Sequence, residues 1–321
     1  MNHPSVGRHR GLRSALAQVP PDAARALRRY LSPVAPGSRR GARRPERHYW
    51  ALAPRWLAGR SASPRLLRDA LWGQRALFLF VRIHDDLYDG QTAAPALVYA
   101  ADLLLVESAR AFARHAAGGF WRIFGDALDT TLAAVLEVDA LQRRPAGMPV
   151  GSHRAYARVG AIFKVGTAAV LEATGRAGRF PAFSRFADEV AIADQLVDDL
   201  VDLDEDLARG RLNYVASTLL GGADGRRPRA ADPRARLALA IEDGGLAPIA
   251  RLARQHLARA RRAAVPLGLA EIDAWLAPLE ARLDDLADEA SRARARTRLG
   301  PLVAGSVTAR RPSSRAPARA R

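Results

Sequence analysis

Apolar residues recur at helical spacing along nearly the whole middle of this 321-residue chain, and no run of alternating β-branched residues competes with them. The clearest pattern begins with the N-cap residue Ser63 and with Pro64 at the first helical position, and it stops near Gly90. A second long pattern runs from Pro181 to Gly210. Further helical patterns cover 95–116, 120–143, 153–174, 233–264 and 269–296. The sequence therefore predicts an all-α bundle of about eight or more helices.

The net charge of +17 is confined to the two ends of the chain. Residues 1–48 and residues 291–321 each carry +9, whereas residues 49–290 carry −1. A basic excess points first to nucleic acid or an anionic membrane as a partner. The middle of the chain lacks this charge, and its five tryptophans are too scattered to form a stacking platform for nucleic acid. We therefore expect no nucleic-acid partner, but peripheral contact of the Arg-rich ends with anionic membranes.

Proline, glycine and arginine fill residues 32–47 and return from Arg298 onward, which is typical of segments without a packed core. We expect a largely flexible segment over 1–48, a helical domain over 49–296 and a disordered tail over 297–321. The absence of cysteine excludes a disulfide framework and a thiolate zinc site, and it is compatible with a reducing compartment. Because no apolar stretch approaches the roughly 18 residues of a bilayer span, we expect a cytoplasmic protein with membrane association through its ends.

The first long helical pattern ends in a cluster of acidic residues. Asp85 and Asp89 are four residues apart and share a face, whereas Asp86 points elsewhere. The same stripe of the helix carries apolar residues and one glutamine, namely Leu67, Leu71, Gln74, Phe78 and Val81. The pattern predicts an apolar wall that leads up to a pair of carboxylates.

The second long pattern ends in a matching cluster. Asp198, Asp202 and Asp206 recur every four residues, so a continuous helix would place them on one side. Ala187 and Ala191 lie on the same stripe, where small side chains would leave room for a ligand. Like charges one turn apart on a helix cost about 0.2 to 0.5 kcal/mol per pair. Acidic residues near a helix C-terminus also oppose the helix dipole, at about 0.3 to 1 kcal/mol each. A solvated acidic face is the alternative, but two matched clusters favour metal binding.

Carboxylate-only clusters suit Mg²⁺, which prefers oxygen ligands and completes its coordination with substrate phosphates. A diphosphate ester is the natural substrate for such a site, because bound metal stabilises the departing diphosphate. An apolar, alanine-rich interior would receive a hydrocarbon chain and shield a carbocation from water.

At this point the residues resemble the class I isoprenoid synthases. Asp85-Asp86-Leu87-Tyr88-Asp89 matches the DDxxD motif of that superfamily, and residues 195–202 look like its second aspartate-rich motif with the preceding Gln195. The stretch from Glu205 to Tyr214 is similar to the sequence that follows this motif in squalene and phytoene synthases. The resemblance covers roughly residues 50–290 and implies a terpenoid synthase-type helical bundle around a central cavity.

The resemblance implies an enzyme that ionises an allylic prenyl diphosphate, releases diphosphate and transfers or condenses the prenyl group. It implies Mg²⁺ as the cofactor, about three ions with the substrate diphosphate, and a homodimer. The metal ligands would be Asp85, Asp89, Asp198, Asp202 and Asp206, and the catalytic set adds Asp86 and Asp199. Lys164, the only lysine of the chain, resembles the lysine that contacts diphosphate in polyprenyl synthases, and Gln195 and Arg211 complete that set. The residues expected to line the cavity are Phe78, Phe80, Val81, Tyr88 and Ala191.

Two departures from the polyprenyl synthases leave the reaction open. An arginine pair follows the first motif in those enzymes, but residues 90–96 contain no arginine. Their Gly-Gly-Lys segment, which binds the co-substrate isopentenyl diphosphate, is degenerate in Ala58-Gly59-Arg60. Head-to-head condensation and cyclisation by a terpene cyclase therefore stay open beside elongation. The alternatives without catalysis are a basic helical protein that binds nucleic acid or membranes and a degenerate relative of the same fold.

Overall fold

The structure is a computed structural model that describes residues 16–31, 48–116, 118–221, 233–285 and 288. Every regular element within these ranges is helical, which confirms the predicted all-α class. The helices are α1 (Pro21–Tyr30), α2 (Tyr49–Leu57), α3 (Pro64–Tyr88), α4 (Ala96–Ala113), α5 (Gly118–Gln142), α6 (Ala155–Val159), α7 (Val165–Ala173), α8 (Phe180–Val201), α9 (Leu203–Ala208), α10 (Tyr214–Gly221), α11 (Pro233–Glu242) and α12 (Leu246–Ala264), followed by a helical stretch over 270–285.

The chain divides into two compact units, and the expected domain bounds of 49–296 stay a prediction. The first unit contains the described residues up to Asp139, together with Arg154–Ile192 and His256–Leu276. The second unit contains Ala140–His153 and the described parts of Ala193–Gln255 and of the chain from Ala277 onward. Among the described residues, no helix combines the length and the hydropathy needed to cross a membrane.

Helix α3 organises the core of the first unit. The hydroxyl of Ser63 accepts the Leu66 N–H at 3.1 Å, Pro64 occupies the first helical position, and Gly90 follows the end of the helix with a φ of +66°. These local signals explain why the predicted bounds are confirmed. The helix packs against α4, where a Cβ at Gly73 would lie 2.7 Å from the ring of Phe112. Burial of a side chain the size of Phe112 stabilises the fold by about 1.5 to 3 kcal/mol.

Helix α1 lies inside the N-terminal segment that was expected to be largely flexible. Ala23 and Leu27 are each 1% exposed and belong to the core of the first unit, which α1 joins by packing against α4. The expectation is therefore wrong for Pro21–Tyr30, because an alanine and a leucine one turn apart suffice to dock a short Arg-rich helix. The rest of that segment up to residue 47, apart from residues 16–20 and 31, lies outside the described residues. So does the predicted tail over 297–321.

Three predicted helices are interrupted in the structure. The 153–174 pattern contains a tight 3₁₀ turn, Gly160–Lys164, between α6 and α7. The 233–264 pattern is divided by a turn at Gly244, whose φ of +83° suits glycine. The 181–210 pattern breaks between α8 and α9 at Asp202, which has φ −91° and ψ 8°.

Candidate functional site

The first aspartate motif forms the C-terminal end of α3 in the first unit. Asp85 and Asp89 are partly exposed, and the Asp89 N–H donates to the Asp85 carbonyl at 2.9 Å. One helical turn therefore separates these two accessible carboxylates, as the sequence predicts. Two oxygen ligands in this arrangement suit a hard divalent cation that takes its remaining ligands from water and phosphate.

Asp86 is buried and held within the first unit. The Tyr30 hydroxyl donates to Asp86 Oδ2 at 2.6 Å, and Arg82 Nη2 lies 2.9 Å from Asp86 Oδ1. Arg82 Nη1 also lies 3.8 Å from Asp85 Oδ2. Burial, and then the hydrogen bond to Asp86, raise the pKa of Tyr30 above its ordinary value. Asp86 thus anchors α1 to α3, and its expected catalytic role stays a prediction.

Sequence reasoning missed both partners of Asp86. Arg82 could have been found, because an arginine three and four residues before two aspartates forms helical ion pairs. Tyr30 is 56 residues away from Asp86 in the sequence, and no local pattern links them.

Lys164 ends the 3₁₀ turn between α6 and α7, and its ammonium is held by α8. Its Nζ lies 2.5 Å from Asp188 Oδ1 and 3.0 Å from Ser184 Oγ, and the side chain is 12% exposed. Burial raises the pKa of the Asp188 carboxyl above its ordinary value, and the ammonium of Lys164 offsets this only in part. Because two of its three N–H groups are directed to Ser184 and Asp188, the lysine expected to contact diphosphate has a defined position.

Three of the residues expected to line a cavity have other surroundings. Phe80 is 8% exposed and packs in the core of the first unit against the His84 ring, because it lies about 140° around α3 from Asp85. Tyr88 is 56% exposed, and its hydroxyl donates to Asp139 Oδ2 at 2.9 Å, so it is a surface residue. A Cβ at Gly160 would lie 2.8 Å from the Cβ of Ala191, so this alanine packs closely against Gly160, and its place in a cavity stays a prediction.

Phe78 and Val81 are partly exposed and lie on the same side of α3 as Asp85. Phe78 stacks on Trp50 with ring centroids 5.0 Å apart, and Trp50 stacks on Phe163 at 6.1 Å. The apolar wall that leads up to the first motif therefore includes an aromatic group from α2 and one from the turn before Lys164. The sequence gives no local signal for this stack, since its members are distant in the chain.

The second aspartate motif spans the break between α8 and α9 in the second unit. The Asp202 N–H donates to the Asp198 carbonyl at 2.8 Å, and the Asp206 N–H donates to the Asp202 carbonyl at 2.9 Å. Helical hydrogen bonding thus crosses the break, although the predicted continuous helix is wrong. The break is explained by Asn213, whose Nδ2 donates to the Asp199 carbonyl at 2.8 Å. In a continuous helix, the backbone N–H four residues after Asp199 would donate to this carbonyl instead.

Asn213 also orients a carboxylate of the motif. Its Nδ2 donates to Asp206 Oδ2 at 2.8 Å, and its Oδ1 accepts the Ala216 N–H at 2.8 Å. The residue is fully buried. Sequence reasoning passed over Asn213, although a buried amide directly after an acidic helix end is a plausible capping group.

Asp199 caps the start of α10. It is 2% exposed, its Oδ2 accepts the Tyr214 N–H at 3.1 Å, and its Oδ1 accepts from Gln195 Nε2 at 3.0 Å. A carboxylate at a helix N-terminus is stabilised by the helix dipole. These contacts give Asp199 and Gln195 structural partners, and their expected roles in catalysis and diphosphate binding stay predictions.

Arg211 is 9% exposed, and its N–H donates to the Asp206 carbonyl at 2.8 Å. This contact fixes the loop that follows α9. This contact involves the backbone of Arg211 and not its guanidinium, so the expected binding of diphosphate by that side chain stays a prediction.

Within the described residues, no three Asp, Glu or His side chains lie close enough together to form a metal site by themselves. The donor sets of the two clusters nevertheless fit Mg²⁺, because each offers carboxylate oxygens and neither contains cysteine or a histidine ligand. Such clusters need a polyanionic substrate to complete the coordination of the ion.

No family model matches the chain, and no curated protein matches it in sequence. Its fold is that of solved polyprenyl synthases. A heptaprenyl diphosphate synthase from Staphylococcus aureus is similar with a TM-score of 0.66 at 9% identity, over 86% of this chain and 94% of that one. A polyprenyl synthetase from Streptomyces coelicolor gives 0.65 at 18% identity, over 87% and 95%. A polyprenyl synthase from Caulobacter crescentus, in complex with calcium and isoprenyl diphosphate, gives 0.61 at 18% identity, over 88% and 93%.

Proposed function

We propose that this chain is a Mg²⁺-dependent isoprenoid synthase that ionises an allylic prenyl diphosphate and releases diphosphate. The observation that carries the proposal is the pair of aspartate clusters, each at the C-terminal end of a long helix, in a chain with the fold of polyprenyl synthases. The Caulobacter crescentus structure contains calcium and isoprenyl diphosphate. Its ligands support the proposal that this chain also binds a divalent cation together with a prenyl diphosphate.

In this proposal, the side chains of the two clusters, Lys164 and the apolar stripe of α3 have different roles. Asp85 and Asp89 of the first cluster, and Asp198, Asp202 and Asp206 of the second, hold Mg²⁺. Bound Mg²⁺ would neutralise the diphosphate and stabilise it as a leaving group. Lys164 donates an N–H to a phosphate oxygen from the position that Ser184 and Asp188 give it. The apolar stripe of α3 below Asp85 excludes water from the prenyl chain.

Diphosphate release by the full-length chain tests this proposal. We expect release from C10, C15 or C20 allylic diphosphates with Mg²⁺ and none after chelation. Asp85→Asn and Asp198→Asn should each lower kcat on the order of a hundredfold or more, because each removes charge that holds the metal. Asp126→Asn changes an exposed aspartate of α5 and serves as the matched control. Absence of release from every substrate, with and without isopentenyl diphosphate, would rule the proposal out.

Cyclisation of a single prenyl diphosphate is the second candidate, and the departure of residues 58–60 from the Gly-Gly-Lys segment favours it. Ala58-Gly59-Arg60 precedes the N-terminal end of α3, whereas Asp85 lies near its C-terminal end, and a 25-residue helix is about 37 Å long. The Arg176 guanidinium donates to the Leu57 carbonyl at 3.0 Å and packs on Gly59. The degenerate co-substrate segment thus precedes the end of α3 opposite to the first motif, where Arg176 already occupies the space beside Gly59. Incorporation of labelled isopentenyl diphosphate into the product would exclude cyclisation.

A further inference from the structure

The end of the first unit opposite to the first aspartate motif is strongly basic. We call it the basic face, and it consists of residues 55–69, 107–122 and 172–179. These segments contain nine arginines and three acidic residues, a net charge of +6. The end with the motif has the opposite sign, because residues 82–102 and 137–139 contain one arginine and six acidic residues, a net charge of −5. The 25 residues of α3 connect the two ends over about 37 Å.

Contacts between helix ends bring the three segments of the basic face together. Arg114 Nη1, at the end of α4, lies 3.5 Å from Asp69 Oδ1 in the second turn of α3. The Arg176 guanidinium, which follows α7, donates to the last carbonyl of α2 at 3.0 Å. The ring centroids of Phe112 and Phe120 lie 5.2 Å apart, so the start of α5 packs on the end of α4. The basic face is therefore built from the ends of five helices of one compact unit.

The positive charge of the basic face is only partly neutralised within the protein. Its acidic residues Asp69 and Glu107 are buried and already form ion pairs with arginines of the same face. Burial, and then the charge of Arg176, lower the pKa of Arg179 below its ordinary value. Among the described residues, four exposed arginines of this face have no carboxylate within ion-pair distance, namely Arg55, Arg60, Arg68 and Arg122. Exposed cations that repel one another and lack a counter-charge favour an anionic partner.

Trp121 adds an exposed aromatic ring to the basic face. The residue is 37% exposed and lies beside Arg122 at the start of α5. Its ring packs edge-on against Phe120, with ring centroids 5.3 Å apart, so the indole has a defined position. An indole beside basic side chains is typical of surfaces that rest at the headgroup level of a membrane. A platform for nucleic acid would need successive exposed rings, so the single ring favours a lipid surface.

We propose that the basic face is a docking surface for an anionic membrane, with Trp121 at the level of the lipid headgroups. This surface belongs to a compact unit of the chain, so it is distinct from the two Arg-rich ends of the sequence, and it does not depend on the proposed catalytic function. The opposite charges of the two ends of the unit orient the molecule, because an anionic surface attracts one end and repels the other. The first aspartate motif then faces the aqueous phase, from which Mg²⁺ reaches it.

Sedimentation of the full-length chain with phosphatidylserine vesicles at low salt measures this docking. Arg68→Gln combined with Arg122→Gln should lower the vesicle affinity by about tenfold or more, because each arginine near an anionic surface adds to binding. Arg28→Gln combined with Arg29→Gln is the matched control, since it removes the same charge from exposed residues of α1 beside Tyr30. The control should lower the affinity by less than about twofold. Equal losses in the two variants would overturn the proposal, because the total charge of the chain would then explain the binding.

Quenching by bromine-labelled lipids tests the placement of Trp121. Phosphatidylserine vesicles that contain brominated phosphatidylcholine should quench part of the tryptophan fluorescence of the wild type, and Trp121→Phe should lose most of this quenching. Quenching that persists in Trp121→Phe, or its absence in the wild type, would overturn the proposal. A short DNA duplex is the competing ligand. If the duplex binds at least as tightly as the vesicles, with the same loss in the variant that lacks Arg68 and Arg122, the basic face binds nucleic acid and the membrane proposal is wrong.

Discussion

At the scale of single residues, Asn213 connects the parts of the second aspartate motif. It ends α8 by bonding the Asp199 carbonyl, orients the Asp206 carboxylate and accepts the N–H of Ala216 in α10. All of these bonds are made by one fully buried amide. Loss of the amide would leave buried polar groups without partners, which is costlier than the bonds themselves.

Asn213→Ala should therefore lower the free energy of unfolding by about 2 to 4 kcal/mol. Asn213→Asp keeps an acceptor for Ala216 but replaces the donor to Asp206 with a second carboxylate, so it should also raise the Mg²⁺ concentration needed for half-maximal diphosphate release. Urea denaturation and Mg²⁺ titration of the two variants measure these effects. Unfolding curves that coincide with that of the wild type would contradict the role of Asn213.

His256 makes stability depend on pH. It is 3% exposed, its Nδ1 lies 2.6 Å from Glu189 Oε2, and Arg259 Nε lies 2.9 Å from the same oxygen. Burial lowers the pKa of His256 below its ordinary value of 6.5, and Arg259 adds to this while Glu189 opposes it. The folded protein thus binds fewer protons at this site than the unfolded chain, so stability falls as the pH drops below about 6.5.

His256→Gln should remove this part of the pH dependence. We expect the difference in unfolding free energy between pH 7.5 and pH 5.5, values chosen on either side of about 6.5, to be smaller in the variant than in the wild type. Urea denaturation at the two pH values measures it. An equal or larger difference in His256→Gln would show that other groups cause the pH dependence.

At the scale of elements, the Tyr30 side chain ties α1 to the first aspartate motif. The Tyr30 hydroxyl in α1 donates a hydrogen bond to one carboxylate oxygen of Asp86, and the Arg82 guanidinium forms an ion pair with the other. A hydrogen bond to a charged, buried group contributes about 1.5 to 3 kcal/mol. Tyr30→Phe should lower the unfolding free energy by this amount. Tyr99→Phe, which changes a tyrosine that is 69% exposed, should alter it by less than about 0.5 kcal/mol. Equal losses in the two variants would contradict the tie.

The elements also show which features can be predicted from sequence. The bounds of α3 follow from Ser63, Pro64 and Gly90, whose effects are local, and the one-turn spacing of Asp85 and Asp89 follows with them. The break at Asp202 could not be predicted, because it depends on a side chain that returns to α8 from residue 213. The side chain of Phe80 packs in the core of the first unit, on a different side of α3 from Asp85, and its expected place in a cavity stays a prediction.

At the scale of the whole molecule, the candidate site lies between residues 49 and 290 of the sequence, and the net positive charge lies in the two ends. Each arginine near an anionic membrane surface contributes about 1 kcal/mol of binding. Deletion of residues 297–321 removes six arginines and should weaken sedimentation with phosphatidylserine vesicles at low salt, while diphosphate release in solution stays unchanged. Vesicles of phosphatidylcholine alone are the control, since they should bind neither form. If the deletion leaves sedimentation with phosphatidylserine vesicles unchanged, the C-terminal end does not contribute to membrane binding.

The position of the single lysine also makes local opening of the chain measurable. A lysine-specific protease has one target bond in the whole chain, between Lys164 and Val165, where a 3₁₀ turn meets α7. The lysine is mostly buried and its ammonium is held by Asp188, so cleavage requires this junction to open. When opening is fast relative to cleavage, the rate at which one cut appears reports the free energy of the lowest opening, local or global, that exposes this bond, without labels or substitutions.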